Sequence, residues 1–432
     1  MCILSTVFSI HGNCFCSART LYLNPGPLEP FRAIYIVVDY PRIRYIEAFP
    51  VRQEGREMIL LKDTEGIMEN SLVVSKDALF LLSLMDGTRS LRDIQAEYMR
   101  TFGNLIYIEH IQNFMETLDA HYLLYNDNFK NHLIQLKEAY ENEPVREACL
   151  AGKSYASNKM EFLAFLDEMF KEIVEPSANI TGILAPHIDY ARGMEVYQET
   201  YGHLKNTDKT LIIILGTCHH PMEKIWSISA KDFSTPLDVV PCSKDLIRRI
   251  KENTILRQYI DEWPHRNEHS IELQLPLLQF VIQKDIEILP ILTGSMHEYI
   301  AGEKDLPDQE IEDIIGNFKD MLARHGKPYI ILSGADLAHI GAQFGDTYLL
   351  NSFTLSESKS KDEAILEDIK NIDADTFIKT IQKEKDRRRI CGLTPIYFQL
   401  RFLNDSLCRI VSYRQWTDGQ SSVSFAGGIF YR

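Results

Sequence analysis

Histidine recurs just past the apolar runs that begin near residue 180 of this sequence. Leu184-Ala185-Pro186-His187-Ile188-Asp189-Tyr190 closes one run, and Leu215-Gly216-Thr217-Cys218-His219-His220 closes a second. Ser333-Gly334-Ala335-Asp336-Leu337-Ala338-His339 closes a third. A single histidine in such a place is more often a packing residue than a ligand. Three at corresponding positions predict one shared pocket of His187, His219 and His339, with Asp336 close by. Cys391-Gly392 adds a thiol ahead of Leu393-Thr394-Pro395, which reads as a helix start. The positive helix end and the neighbouring Arg388 and Arg389 favour thiolate there, whereas a buried structural cysteine is the plainer use of the same residue. His269, in Glu268-His269-Ser270, opens a further helix and can face the pocket as a hydrogen-bonding or acid/base group. Glu272, one turn later, is placed to orient it; capping and packing are the alternative.

Imidazoles with a carboxylate or thiolate are borderline ligands, suited to iron, copper or zinc and poorly suited to magnesium or calcium. Two histidines and one anion leave coordination positions open for oxygen or substrate. A metal-free use is also open, with Cys391 as nucleophile and His219 or His339 as general base. That use requires a histidine within hydrogen-bond reach of the sulfur. Neither GxGxxG nor GxxxxGK[ST] occurs, so the usual phosphate-cradling loops are absent.

These residues need strands to deliver them. Ile180 to Leu184, Thr210 to Leu215, Ile286 to Leu292 and Tyr329 to Leu332 are near-continuous apolar runs. Helical stretches such as Ile271 to Ile282 and Glu310 to Ala323 lie between them. That alternation predicts an α/β domain over 179–432, with a mostly parallel central sheet flanked by helices. Ligands in such sheets bind beyond the strand carboxyl ends, where the unusual residues fall.

Upstream, residues 43–126 read as a separate small domain. Glu57 to Asp63 and Ser71 to Val74 predict short strands, and Asp77 to Met85 a helix stopped by Asp86-Gly87. Ser90 with Asp93 three residues on marks the start of a second helix, running through Tyr98. Ile111, Phe114, Met115 and Leu118 give the next segment one apolar helical face. The order predicts a winged-helix-like fold, and LMDGTRSLRDI resembles the small modules related to PqqD-type peptide-binding domains. The second helix sets only Arg92 and Arg100 against Asp93 and Glu97, which favours contact with a protein or peptide over DNA. Residues 127–178 read as a charged helical connector, with helices over 131–142 and 159–173. Residues 1–42, with Pro25-Gly26-Pro27 and Pro30, read as an irregular extension.

The formal charge of −15 argues against a general affinity for nucleic acid or anionic membrane. Eight scattered cysteines without a CxxC do not form a secreted disulfide framework, and the lone Cys14–Cys16 pair reads as incidental. The apolar run Ile3 to Ile10 is short, interrupted by Ser5 and Thr6, and lacks a basic flank for a signal peptide. No segment approaches the ~18 uninterrupted apolar residues of a membrane span. The expectation is a cytoplasmic protein.

Taken in order, APHIDY, ILGTCHH, EHSIELQLPLL, GADLAHIG, ICGLTPI and SSVSFAGGIFY resemble the Memo family, also called AmmeMemoRadiSam system protein B. They cover nearly all of residues 180–431, and the small N-terminal domain resembles the extension of many bacterial members. The resemblance implies a fold similar to class III extradiol dioxygenases, with iron or copper held by His187, His219 and Cys391. Asp336 and His339 fall on the family's pocket residues, and His269 lines the same pocket. His220 competes with His219 for the ligand role; because adjacent side chains diverge, His219 is the better candidate. Departures from the animal pattern are APHIDY for APHAGY, TCHH for PSHH and GAD for SSD, which put Asp189 and Cys218 near the ligands. The implied function is redox chemistry or metal handling, with a radical SAM protein and an AMMECR-type protein as implied partners. Alternatives are a non-haem iron dioxygenase-like enzyme and a non-enzymatic peptide- or protein-binding module.

Overall fold

The computed structural model describes residues 40–432 apart from Glu54, Glu69, Ile173 and Ala178, together with the backbone of Arg19–Thr20. The Cys14–Cys16 pair, the run from Ile3 to Ile10 and nearly all of the predicted N-terminal extension lie outside the described residues. Two compact units divide the chain. One reaches Ala139 and includes Ala342–Thr347; the other comprises Tyr140–Gly341 and Tyr348–Arg432.

The first unit contains strands β1 (Arg19–Thr20), β2 (Glu47–Gln53), β3 (Arg56–Lys62) and β4 (Leu72–Val74), in the order β1-β4-β3-β2. Helices α1 (Lys76–Leu84), α2 (Leu91–Phe102), α3 (Ile108–Ala120) and α4 (Asp127–Asn142) follow. The Ser90 hydroxyl accepts from the Asp93 amide while the Asp93 carboxylate accepts from the Ser90 amide, so α2 opens on a reciprocal cap. Ile111, Phe114, Met115 and Leu118 are all buried, with Leu81 and Ile94, in this unit's core. Strand β2 was not anticipated: Glu47, Pro50 and Arg52 break the apolar alternation that marks a strand, and it forms by pairing antiparallel with β3.

The second unit begins with β5 (Val145–Arg146), α5 (Lys159–Met169), β6 (Ile180–Ala185), α6 (Tyr190–Tyr201) and β7 (Leu211–Thr217). It continues through β8 (Trp226–Ile228), β9 (Asp232–Ser234), β10 (Val239–Val240), α7 (Lys244–Glu252), α8 (Leu275–Ile282) and β11 (Glu287–Thr293). Then come α9 (His297–Ala301), α10 (Asp308–His325), β12 (Tyr329–Gly334), β13 (His339–Gly341), α11 (Ser352–Lys370) and α12 (Ala374–Lys383). Helix α13 (Leu393–Phe402) and strands β14 (Leu407–Thr417) and β15 (Ser421–Tyr431) complete it.

Eight strands form its main sheet, in the order β13-β15-β6-β12-β7-β11-β8, with β14 also on β15. The expected mostly parallel sheet is parallel only through its middle, β6-β12-β7-β11. Both flanks are antiparallel, which makes the sheet mixed. The β14–β15 pairing has a local cause: Asp418-Gly419-Gln420 turns β14 directly back into β15, and a short turn joins only antiparallel strands. Side chains of β7 alternate between two cores. Ile213 and Leu215 pack on one face with Phe318 of α10 and Phe398 of α13. Ile212 and Ile214 pack on the other with Tyr197 of α6 and Leu277 of α8. Burial on both faces is why these strands read as unbroken apolar runs. Among the described residues no helix is long and apolar enough to cross a membrane.

Candidate functional site

Three adjacent parallel strands, β6, β12 and β7, release the chain at the same edge of the sheet. His187 stands two residues past β6, His219 two past β7, and Asp336 two past β12. The corresponding position on the third strand is thus Asp336. His339 lies far enough on to begin β13, where its amide donates to Arg388 O and its Nδ1 faces Leu337 O at 3.1 Å. Among the described residues, the ring nitrogens that gather within 4.8 Å of one another belong to His187, His219 and His269. His339 is not in that cluster, and neither is His220.

Cys391 reaches the cluster from the loop before α13. Its amide donates to Leu337 O, and the next amide, of Gly392, donates to Asp336 O at 2.7 Å. The Thr217 hydroxyl donates to Cys391 O at 3.1 Å, tying the loop to the end of β7 as well. Gly392 is required by this approach: a Cβ there would sit 2.6 Å from both Asp336 O and Ala335 Cβ.

The loop sets Cys391 Sγ 3.2 Å from His187 Nε2 and 3.4 Å from His219 Nε2. Each ring is oriented from behind by its other nitrogen. His187 Nδ1 is 2.9 Å from the carbonyl of Gly334, and the His187 amide donates to Asp336 Oδ1 at 3.0 Å. His219 Nδ1 is 3.0 Å from Glu268 Oε1. With Nδ1–H committed to an acceptor, each Nε2 is left as the nitrogen facing the sulfur.

The protonation balance follows from these contacts. Burial works against the His187 imidazolium, yet the Cys391 sulfur and the Asp336 carboxylate outweigh it and raise the group to about 9. The packing around His219 opposes its charge although the side chain keeps 37% exposure, and Glu268 and Cys391 carry it well above the ordinary histidine range. Burial alone would push the Cys391 thiol up; His187 and His219 hold it well below its ordinary value. From sequence, the positive helix end together with Arg388 and Arg389 is expected to have that effect. Arg388 is instead spent on Asp362 and Glu384, and Arg389 Nη1 donates to His339 O. Half-buried His269 is lowered by its partial burial, with Glu268 pulling the other way.

Glu272 does not orient His269. It is fully buried against Arg146 and also accepts from Tyr155 Oη and from the amides of Cys149 and Leu150. The carboxylate beside His269 is Glu268, to which the sequence assigns no role. Its only local signal is an acidic residue directly before His-Ser at a helix start, and its reach to His219 spans 49 positions. Asp189 caps α6 by accepting from the Arg192 amide. Cys218 is buried, which drives its thiol up to about 12, so it is no competing thiolate.

The Memo-like protein family matches residues 146–429 of this chain. A MEMO1 family protein of Aquifex aeolicus is 28% identical over 396 residues, covering 90% of this chain and 100% of the relative. That likeness extends well upstream of the family match. MEMO1 family proteins of Thermoplasma volcanium and Nitrosopumilus maritimus are 27% and 26% identical, covering 56% and 57% of this chain and 80% and 83% of their own. A solved structure of an uncharacterized Escherichia coli K12 protein covers 51% of this chain and 86% of its own at 11% identity. Its TM-score of 0.30 is too low to carry an argument.

Proposed function

This chain belongs to the Memo-like protein family, and from that premise we propose that it binds iron or copper through His187, His219 and Cys391. The observation that carries the proposal is the convergence of two Nε2 atoms on one sulfur, at 3.2 and 3.4 Å. Two imidazoles and a thiolate are a donor set for a borderline or soft transition metal, and the fixed Nδ1 partners are the usual outer support of histidine ligands. Bound there, the metal would supply one-electron redox chemistry and open coordination positions. The chain's own residues do the rest. Gly334 O and Glu268 orient the two rings, Asp336 holds the His187 peptide, and Gly392 lets the Cys391 loop close on β12. We read the role as redox chemistry or metal handling, with radical SAM and AMMECR-type proteins as the partners that the family resemblance implies. Elemental analysis after oxygen-free purification tests the site. Iron or copper near one per chain, lost in Cys391→Ala, is the expected result; metal-free protein that takes up neither ion refutes it.

A second reading is favoured by the same distances. Cys391 Sγ, His219 and Glu268 lie in the order thiolate, imidazole, carboxylate, the arrangement of an activated thiol nucleophile. Metal-free protein that releases p-nitrophenol from p-nitrophenyl acetate in a burst, abolished in Cys391→Ala, would support that use. No burst excludes it.

A further inference from the structure

Glu268 is buried and receives more contacts than one ligand histidine needs. Its Oε2 accepts from the His219 amide at 2.7 Å. Its Oε1 accepts from the amides of His269 and Ser270, at 2.7 and 3.1 Å. The same Oε1 lies 3.0 Å from His219 Nδ1 and 3.1 Å from His269 Nδ1. One oxygen therefore collects two imidazoles from segments that are far apart in sequence. The two rings lie nearly parallel, 17° between planes with centroids 4.7 Å apart, while His187 stands perpendicular to both. In an imidazole the two nitrogens point to nearly opposite sides, so rings hung by Nδ1 from one oxygen send their Nε2 atoms away from it, side by side. His219 Nε2 is the one that meets Cys391 Sγ.

We propose that Glu268 is the positioning residue of the site, fixing His219 as a ligand and stacking His269 beside it as a single two-ring unit. A further contact backs the carboxylate's own peptide: Arg146 Nη2 donates to Glu268 O at 2.6 Å. The inference rests on the metal-binding reading. Outer carboxylates of this kind are worth roughly 10–100-fold in metal affinity.

The test uses the full chain with cobalt(II) alone as probe, because its ligand-field bands and sulfur charge-transfer band report coordination directly. Glu268→Gln keeps an acceptor oxygen for backbone amides but cannot serve both rings as a carboxylate. It should bind cobalt(II) about 10–100-fold more weakly than the wild type, with shifted ligand-field bands and the sulfur band retained. Glu262→Gln is the control, a half-buried carboxylate that accepts from Ser229 Oγ and the Ala230 amide and touches neither ring nor Arg146. It should leave the spectrum unchanged. Equal affinity and an identical spectrum in Glu268→Gln overturn the proposal while the metal reading stands, as does an equal loss in both variants. A wild type that binds neither cobalt(II), iron(II) nor copper(II) refutes the metal reading, and the inference falls with it. If Glu268→Gln does not fold, Glu268→Asp carries the same test, since the shorter side chain keeps the charge but cannot span both rings.

Discussion

Replacing Arg146 by methionine should unfold the second unit at much lower denaturant, and a second replacement nearby should restore part of the loss. Arg146 and Glu272 are an ion pair with both side chains fully buried. Arg146 also donates to His265 O at 3.0 Å and Glu268 O at 2.6 Å. Methionine fills much of the same space but leaves a carboxylate without its cation, and breaking a buried pair from one side costs about 3–5 kcal/mol. Two backbone carbonyls lose donors as well, so Arg146→Met should sit near the upper end, about 5 kcal/mol. Adding Glu272→Gln removes the stranded charge, while its amide oxygen can still accept from Tyr155 Oη and the Leu150 amide, leaving only the Cys149 amide to face the new NH2. The double variant should therefore be more stable than Arg146→Met, by about 1–3 kcal/mol. The single variant's defect should also shrink in acid. Burial raises the Glu272 carboxyl and Arg146 now holds it down. Without Arg146 its folded value rises above the unfolded one, so the loss is greatest above that folded value and falls as pH drops through it. Urea unfolding followed by tryptophan fluorescence is a suitable assay, because Trp226, Trp263 and Trp416, the chain's only tryptophans, all lie in the second unit. Additive losses, with the double variant the least stable of the set, would refute charge compensation as the cause.

Gly392→Ala should expel the Cys391 loop from the end of β12, since its Cβ would meet Asp336 O and Ala335 Cβ at 2.6 Å. A cost of about 1–3 kcal/mol and loss of metal uptake are expected, measured by urea unfolding and elemental analysis. His297 Nδ1 lies 3.0 Å from Asp386, and that hydrogen bond raises the histidine above its ordinary value. Its stabilisation is complete below the unfolded histidine value and is lost as pH rises through the raised folded one. Comparing Tm against pH for wild type and His297→Gln should show the difference only on the acid side, and a constant offset across pH would rule the pair out as the source. Ser90→Ala removes the reciprocal cap of α2 and should cost the first unit about 1 kcal/mol, read by hydrogen exchange of the α2 amides.

The elements that were legible in the sequence depend on neighbours a few residues away. Ser90 and Asp93 signal a helix start because the cap closes within one turn. Ile111, Phe114, Met115 and Leu118 signal a buried face because helical spacing alone puts them on one side. The runs that became β6, β7, β11 and β12 stood out because both faces of the central strands are buried, so no polar alternation interrupts them. His187 and His219 were legible for a related reason: a parallel strand must end at the binding edge, so a polar residue just past it is delivered there. His339 shows where that rule needs a ruler. Strand β12 ends at Gly334, which gives the corresponding place to Asp336 and leaves His339 to pair in β13.

What the sequence hid are groups whose partners are set by tertiary packing alone. Glu268 and Glu272 stand four positions apart in one short segment, and from sequence only Glu272 is expected to orient His269. The structure separates them by facing: Glu268 turns toward His219 and His269, and Glu272 turns away to Arg146, 126 positions upstream. Arg146 nevertheless touches both, through the Glu272 side chain and the Glu268 carbonyl. One buried guanidinium thus links β5 to the peptide that carries the site's outer carboxylate. A substitution at Arg146 should therefore be felt in the pocket as well as in stability. That coupling gives a physical reason for the site to depend on a residue that lies away from the strand ends and carries no metal-ligating chemistry of its own.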